Sequence, residues 1–371
     1  MMKTWFVFLC LNVWSLSGCA SVQTAPEPIR VPTATPLPRG NRPIYVIDPN
    51  NGAMTSTIWT VDPDSQRVVG GIGTRHTPEI AISPDGARVY VADSYLAKVI
   101  RGEPHDVLSV YDAATEQLLH DDIDIRGRLL YKLYPNPQPF MFLSRDGKRL
   151  FIGKYGDPDI HTLRMTILDA ETFKTLAEFR SPSCFDIVPL LNGRLVCAHN
   201  ATVFVVDPIT GATIDEIAVP GSNIVAMTLA STRDWLYCVL GDARIAVIDL
   251  ASSPRMVASQ VSLGLRSGLT HLLVLSQNQE RLYVGIDTTG SGSLGTANEI
   301  WAFDTSNWSR VGIFKLDDGA FHIAISHDGT QLYSVNPFQK SFSIFDTRTF
   351  QGIVVLHDLG ETPAHIVVPP R

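Results

Sequence analysis

The chain has 371 residues, 45% of them hydrophobic, with a formal net charge of −7 and no long basic run. That balance leaves no electrostatic footprint for a nucleic-acid partner, and an acidic globular surface is its plain reading. The length suits two or three domains, or one large domain built from repeats; 27 Gly and 24 Pro spread along it favour many short strands joined by turns.

In chain order, Lys3 comes first, then an apolar run from Trp5 to Leu16, too short to span a bilayer comfortably, then Leu16-Ser17-Gly18-Cys19. This is the pattern of a secretory signal peptide over residues 1–18. The tetrad resembles a bacterial lipobox, in which Cys19 becomes the lipidated first residue. Residues 19–41 are rich in Pro, Thr and Ala, a composition that stays extended and builds no core. The expectation is an exported, membrane-anchored lipoprotein facing the periplasm or cell exterior, with its folded part over residues 42–371. Of the five cysteines, Cys10 leaves with the signal and Cys19 takes the lipid. Cys184 and Cys197 flank the hairpin-like unit "CFDIVPLLNGRLVC". An exported chain can bridge them, which would constrain the unfolded chain by about 3 kcal/mol. Cys238, in "WLYCVL", reads as a buried free thiol.

The folded part repeats itself. Strand-like runs end in Asp62, Asp112, Asp169, Asp207, Asp249, Asp304 and Asp346, each followed by small or polar residues. Asp at a strand exit bonds its own backbone and starts a turn; the alternative use of these carboxylates, as calcium ligands, is the weaker reading. Before most of them stands a hairpin signal. "AISPDGARVYVAD" has partners in "FLSRDGKRLFIG" and "AISHDGTQLYSV", and worn versions in "VLSQNQERLYVG", "TLASTRDWLYCV" and "PLLNGRLVCA". Asp-Gly between alternating apolar runs predicts a two-residue hairpin turn. Each unit therefore reads as strand, turn, strand, a third strand ending in Asp, and a fourth, shorter run. Units spaced by roughly 40 to 55 residues predict an all-β fold, a seven-bladed β-propeller of four-stranded antiparallel blades. The last run, "AHIVVPP", looks like a first strand and the first, "PIYVID", like a second. Pairing of the N- and C-terminal strands would then close the ring.

The segment "RGEPHDVLSVYDAAT" lies between the second and third strands of its unit, where propeller loops carry function. The unit is similar to the YVTN-type repeats of bacterial propellers. The segment itself, with "YVIDPNNGAMTSTIWTVDPDSQRVVGGI", "SCFDIVPLLNGRLVC" and "GAFHIAISHDGTQLYSVNPFQKSFSIFDTRTFQ", resembles the heavy subunit of the quinoprotein amine dehydrogenases, the methylamine and aromatic amine enzymes. The resemblance covers nearly the whole chain after the tether. It implies a seven-bladed propeller with no cofactor and no catalytic residue of its own, and a Cys184–Cys197 bridge. It also implies a small Cys-rich light subunit that carries tryptophan tryptophylquinone, oxidises primary amines and passes electrons to a periplasmic acceptor. Arg101 and Glu103 become candidate contacts to that partner; read alone, they form a local surface pair. Asn50, Asn51 and Gly52 become a candidate substrate-entrance loop, and there Gly52 stands where the family has an aromatic. The lipobox and tether are a second departure.

Other chemistry is thin. His322 and His327 are five apart and on a strand would face opposite ways; His327 takes the turn position held by Pro84 in the first full repeat. His76, His271 and His365 each stand near the start of a first strand and could face one end of the channel. "TTGSGSLGTAN" opens no helix and has no phosphate-binding context. No GxSxG, HExxH, CxxC or Walker-type loop occurs. The rival readings are a stand-alone YVTN-type surface lipoprotein that binds a protein or small ligand, and a propeller hydrolase, for which no converging set of groups is visible.

Overall fold

The computed structural model describes residues 43–49, 55–94, 106–125, 141–155, 163–181, 184, 186–190, 192–230, 232–265, 269–289 and 296–370. They form seven four-stranded antiparallel sheets. Blade 1 joins His365–Val367 to Ile44–Asp48, Ser56–Asp62 and Arg67–Thr74. Blade 2 is His76–Ile82, Arg88–Ser94, Asp106–Asp112 and Leu118–Asp124, and blade 3 is Met141–Leu143, Arg149–Tyr155, Leu163–Asp169 and Thr175–Ser181. Blade 4 is Asp186–Pro189, Leu195–His199, Thr202–Val206 and Thr213–Ala218; blade 5 is Ile224–Leu229, Trp235–Leu240, Arg244–Asp249 and Met256–Ser262. Blade 6 is Leu269–Leu275, Arg281–Ile286, Ala297–Asp304 and Arg310–Ala320; blade 7 is His322–Ile325, Gln331–Asn336, Ser341–Asp346 and Gln351–Leu356. No helix among the described residues is long and apolar enough to cross a membrane.

The core is divided among the blade interfaces. One apolar cluster fills each adjacent pair: blades 1 and 2, 2 and 3, 3 and 4, 4 and 5, 5 and 6, 6 and 7, and 7 and 1. First strands of neighbouring blades meet one another, which puts them innermost. Second strands carry Tyr45, Tyr90, Tyr237, Tyr283 and Tyr333, each at most 2% exposed. A phenol there fills the seam with a large apolar ring. The Tyr90 O–H donates to the Ala170 carbonyl in the next blade (3.2 Å).

The seven exit aspartates start the turns as expected. The Asp112 carboxylate accepts N–H bonds from Ala114 and Thr115 and the Thr115 hydroxyl bond; Asp169, Asp207, Asp249, Asp304, Asp346 and Asp62 do the same with their own successors. The Ser306 hydroxyl and N–H, with Arg281, hold the Asp304 carboxyl down at about 2. The fifth residue of six of these turns is left-handed: Gln66, Glu116, Phe173, Gly211, Trp308 and Phe350. Several of them lean on the preceding blade. Phe350 meets Phe314 edge-on at 5.1 Å, and its ring lies so close to Gly312 that no Cβ would fit there. Glu116 instead accepts the Thr60 hydroxyl and the Gly71 N–H (3.0 Å) of blade 1.

Two expectations are corrected. The Asp-Gly pairs are not two-residue hairpin turns, which would need positive φ at both residues. Only Gly86, Gly147 and Gly329 are left-handed. The turn spans five residues. Gly86 N–H bonds the Ser83 carbonyl (2.7 Å), the Ser83 hydroxyl bonds Asp85 (2.5 Å), and the Arg88 N–H bonds that hydroxyl (2.9 Å). The Ser in front of the pair enlarges the turn by capturing both sides of it. The fourth strands are also not shorter than the third; Arg310–Ala320 has 11 residues. They form the outer edge, where alternate positions are polar or glycine, so their apolar runs look short.

The ring is closed by the two ends of the folded chain. Tyr45 pairs with Val367, Val46 with Ile366 and Ile47 with His365. Asp48, 3% exposed, accepts the N–H groups of Glu361 (3.1 Å) and Thr362 (2.9 Å) and the Thr362 hydroxyl (3.0 Å). An Asp48→Ala variant leaves these donors unpaired and should lose roughly 2–4 kcal/mol, read as a lower urea midpoint with an unchanged slope.

Candidate functional site

Antiparallel connectivity sorts the connections onto two faces. First-to-second and third-to-fourth turns lie on one, here the turn face. Second-to-third connections and the links between blades lie on the other, the loop face. The sequence-selected candidates belong to connections of the loop face: Asn50, Asn51 and Gly52 between the second and third strands of blade 1, Arg101 and Glu103 between those of blade 2. All five residues, and Cys19, lie outside the described residues. The strand ends that carry these connections are described.

Blade 2 is rooted there by a charged network that the sequence did not announce. Asp93 ends its second strand and is 1% exposed. Its carboxylate accepts the Arg75 backbone N–H (2.8 Å), and Arg75 Nη1 lies 3.3 Å from it. Arg75 also donates to the Ser109 hydroxyl (3.3 Å) and to Asp121 (3.0 Å), and Ser109 donates to Asp121 (2.7 Å). A buried carboxylate needs such partners. Even so, burial pushes Asp93 up to about 6, against the pull of Arg75. Burial, then the charges of Asp93 and Asp121, raise Tyr111 to about 12. Arg75 links the entry to the first strand, the end of the second, and the middle of the third and fourth. It fixes the frame from which residues 95–105 depart.

The histidines redistribute. His322 and His327 stand at opposite ends of their strand and turn. The His327 Nε2 meets the Pro369 carbonyl, while His322 sits beside His365 with ring centroids 5.4 Å apart. The Ile366 N–H donates to His322 Nδ1 (3.3 Å), and Phe321 meets both His365 and Phe338 edge-on. An aromatic cluster thus lines the inner rim where blades 7 and 1 meet. His271 Nδ1 is 2.7 Å from the Val225 carbonyl in the neighbouring blade, and His76 begins the first strand of blade 2. Among the described residues no group of three His, Cys, Asp or Glu is placed to hold a metal ion.

Cys184 and Cys197 are bridged, with Cα atoms 5.6 Å apart, and Cys238 is a buried free thiol. The described tryptophans are packing residues. Trp301 donates to Glu299 (2.7 Å) under the Arg310 guanidinium, Trp308 leans on Tyr237, and Trp235 lies under Arg233.

In urea denaturation, the unfolded chain has Asp93 near the ordinary carboxylate value of about 3.9, below its folded value. Between pH 4 and 6 the native state therefore binds the proton more tightly, and rising pH removes stability. The advantage of the wild type over Asp93→Asn should shrink by on the order of 3 kcal/mol between pH 4 and pH 7; a difference that does not move with pH contradicts the burial argument.

Comparison with known proteins agrees with the geometry. Residues 40–200 match the family of the methylamine dehydrogenase heavy chain (MADH). That stretch takes in three strands of blade 1, all of blades 2 and 3, and the Cys184–Cys197 hairpin. The methylamine dehydrogenase heavy chain of Methylophilus methylotrophus is 29% identical over 151 residues, 40% of this chain and 35% of the relative. That of Methylobacillus flagellatus is 24% identical over 177 residues, 47% and 42% of the two chains. That of Methylorubrum extorquens is 20% identical over 354 residues, 88% and 82%. The first two matches thus span well under half of those relatives. A functionally unknown protein from Desulfotomaculum acetoxidans superposes with a TM-score of 0.64 at 14% identity, over 89% of this chain and 99% of that one, a likeness of fold. The resemblance carried by the repeat, the RGE segment and the cysteine pair is borne out: this seven-bladed propeller is similar to the methylamine dehydrogenase heavy chain, most closely matched over its N-terminal half.

Proposed function

We propose that this chain is the propeller subunit of an amine dehydrogenase-type assembly. It holds a small Cys-rich light subunit on its loop face and contributes no catalytic residue. The light subunit carries tryptophan tryptophylquinone and oxidises a primary amine in the periplasm. The observation that carries this reading is the heavy-chain match over residues 40–200, which contains both loop-face connections and the bridged hairpin. In it, Arg101 and Glu103 contact the partner, and residues 50–52 border the substrate entrance, widened where Gly52 replaces an aromatic. Cys19 is lipidated and the Pro/Thr-rich segment tethers the propeller to the membrane.

Gentle isolation of the tagged protein from its native membranes tests this. The expected result is a small co-purifying chain with visible quinone absorbance that an added primary amine bleaches, and reduced recovery of that chain with Arg101→Ala/Glu103→Ala. A colourless single chain with no amine response overturns it and leaves a stand-alone surface propeller that binds a protein or small ligand. Cys19→Ala should move the protein from the membrane fraction to the soluble one.

A further inference from the structure

On the turn face, at the seam of blades 3 and 4, lies a groove of about 670 Å³. The short first strands Met141–Leu143 and Asp186–Pro189 both end at it. Leu143, Phe151, Pro189 and Leu190 supply apolar lining, and Arg145 and Arg149 are the cations beside it. The volume is in the range of small-molecule sites. Nothing in the proposed heavy-subunit role uses it.

Two arginines meet at this one turn. Both are exposed, and among the described residues neither has an ion pair. The repeat shows what the same turn positions do elsewhere. Arg281 of blade 6 pairs across strands with Asp304, and the two side chains form an ion pair at 2.6 Å. Arg149 of blade 3 stands in the same register opposite Asp169. The two form no ion pair there; Asp169 Oδ1 accepts the Glu171 and Thr172 N–H groups and the Thr172 hydroxyl. Arg145 occupies the place of His327, which in blade 7 is bound to the Pro369 carbonyl. In blade 5, Arg233 is committed to the Tyr237 hydroxyl (3.2 Å) and to the Trp235 ring.

Asp146 brings one negative charge to the groove against the two of Arg145 and Arg149. Asp146 is engaged by the Ser144 hydroxyl (2.5 Å) and the Lys148 N–H (3.1 Å), and these bonds, ahead of the charges of Lys148 and Arg149, hold it ionised below the usual range. Lys148 adds a further exposed cation. A net-negative chain thus leaves two uncommitted guanidiniums at the mouth of an apolar-lined groove. Guanidinium forks match a carboxylate in plane and in charge. We infer that this groove is a binding site for a small organic carboxylate, its acid group held by Arg145 and Arg149 and its apolar body laid against Leu143 and Pro189.

Titration calorimetry with 3-phenylpropionate on the purified full chain tests it, with 3-phenylpropanamide and inorganic phosphate as the other arms. The acid should bind about tenfold tighter than the isosteric amide, since a charge-assisted bidentate contact is lost in the amide. It should also bind tighter than phosphate, which lacks the apolar body, and weaken with added salt. Arg145→Gln/Arg149→Gln should abolish the preference for the acid while leaving the melting temperature unchanged, because neither side chain holds another element. Leu143→Ala should weaken the phenyl acid and leave phosphate as it was. Equal binding of acid and amide, or undiminished acid binding by the double variant, overturns the proposal. Phosphate binding as tight as the phenyl acid also overturns it, by reducing the site to a bare anion contact.

Discussion

A ring of sheets is only as stable as its last interface. Six of the seven apolar seams here join neighbours along the chain, but the seam between blades 7 and 1 and the strand that completes blade 1 join residues some 320 positions apart, Tyr45 to Val367. That contact closes the longest loop in the fold, so its chain entropy is the largest any contact must overcome. Two kinds of bond share the work. Backbone pairing sets the register, and the buried Asp48 carboxylate captures Glu361 and Thr362 just before the final strand. Once closed, no blade has an inner edge exposed, and each is clamped by two neighbours.

The remaining order follows from cheap local chemistry repeated many times. An exit Asp satisfies the N–H groups of its own turn, and the left-handed fifth residue then points back over the preceding blade. In blades 6 and 7 that residue is aromatic and adds to an apolar seam. In blade 2 it is Glu116, which adds a polar contact to blade 1 beside the apolar seam. Turn donors hold the carboxyls of Asp112, Asp169, Asp207, Asp304 and Asp346 below the usual range, whereas Asp93 is buried so deeply that even Arg75 leaves its proton affinity raised. The same residue type therefore serves two ends: exposed, it shapes a turn; buried, it ties strand ends together.

The two faces differ accordingly. The turn face is made of short, self-satisfied turns, and what stands out there is a failure of self-satisfaction, at Arg145 and Arg149. The loop face is where the connections lengthen, above the Arg75 network and the His322–His365–Phe321 cluster. A propeller separates these tasks well, since strands fix the frame and each connection can change without disturbing the seams.

Much of this was legible in the linear sequence. Period-two alternation, the exit aspartates and the orphan strands at both ends determined the blade count, the strand order and the closure, because each depends on residues within one short segment or on counting. The cysteine pair was legible too, since Cys184 and Cys197 flank one short hairpin. The size of the Ser-containing turns was misjudged because the deciding bond comes from a hydroxyl outside the Asp-Gly pair. What only the tertiary structure decided lies between segments: Arg75 reaching Asp121, His322 beside His365 rather than His327, and Arg145 sharing a groove with Leu190. Sequence periodicity says which way a side chain leaves its own strand. It carries no information on which neighbour the ring places opposite, or on which of two equivalent arginines pairs with the aspartate across from it.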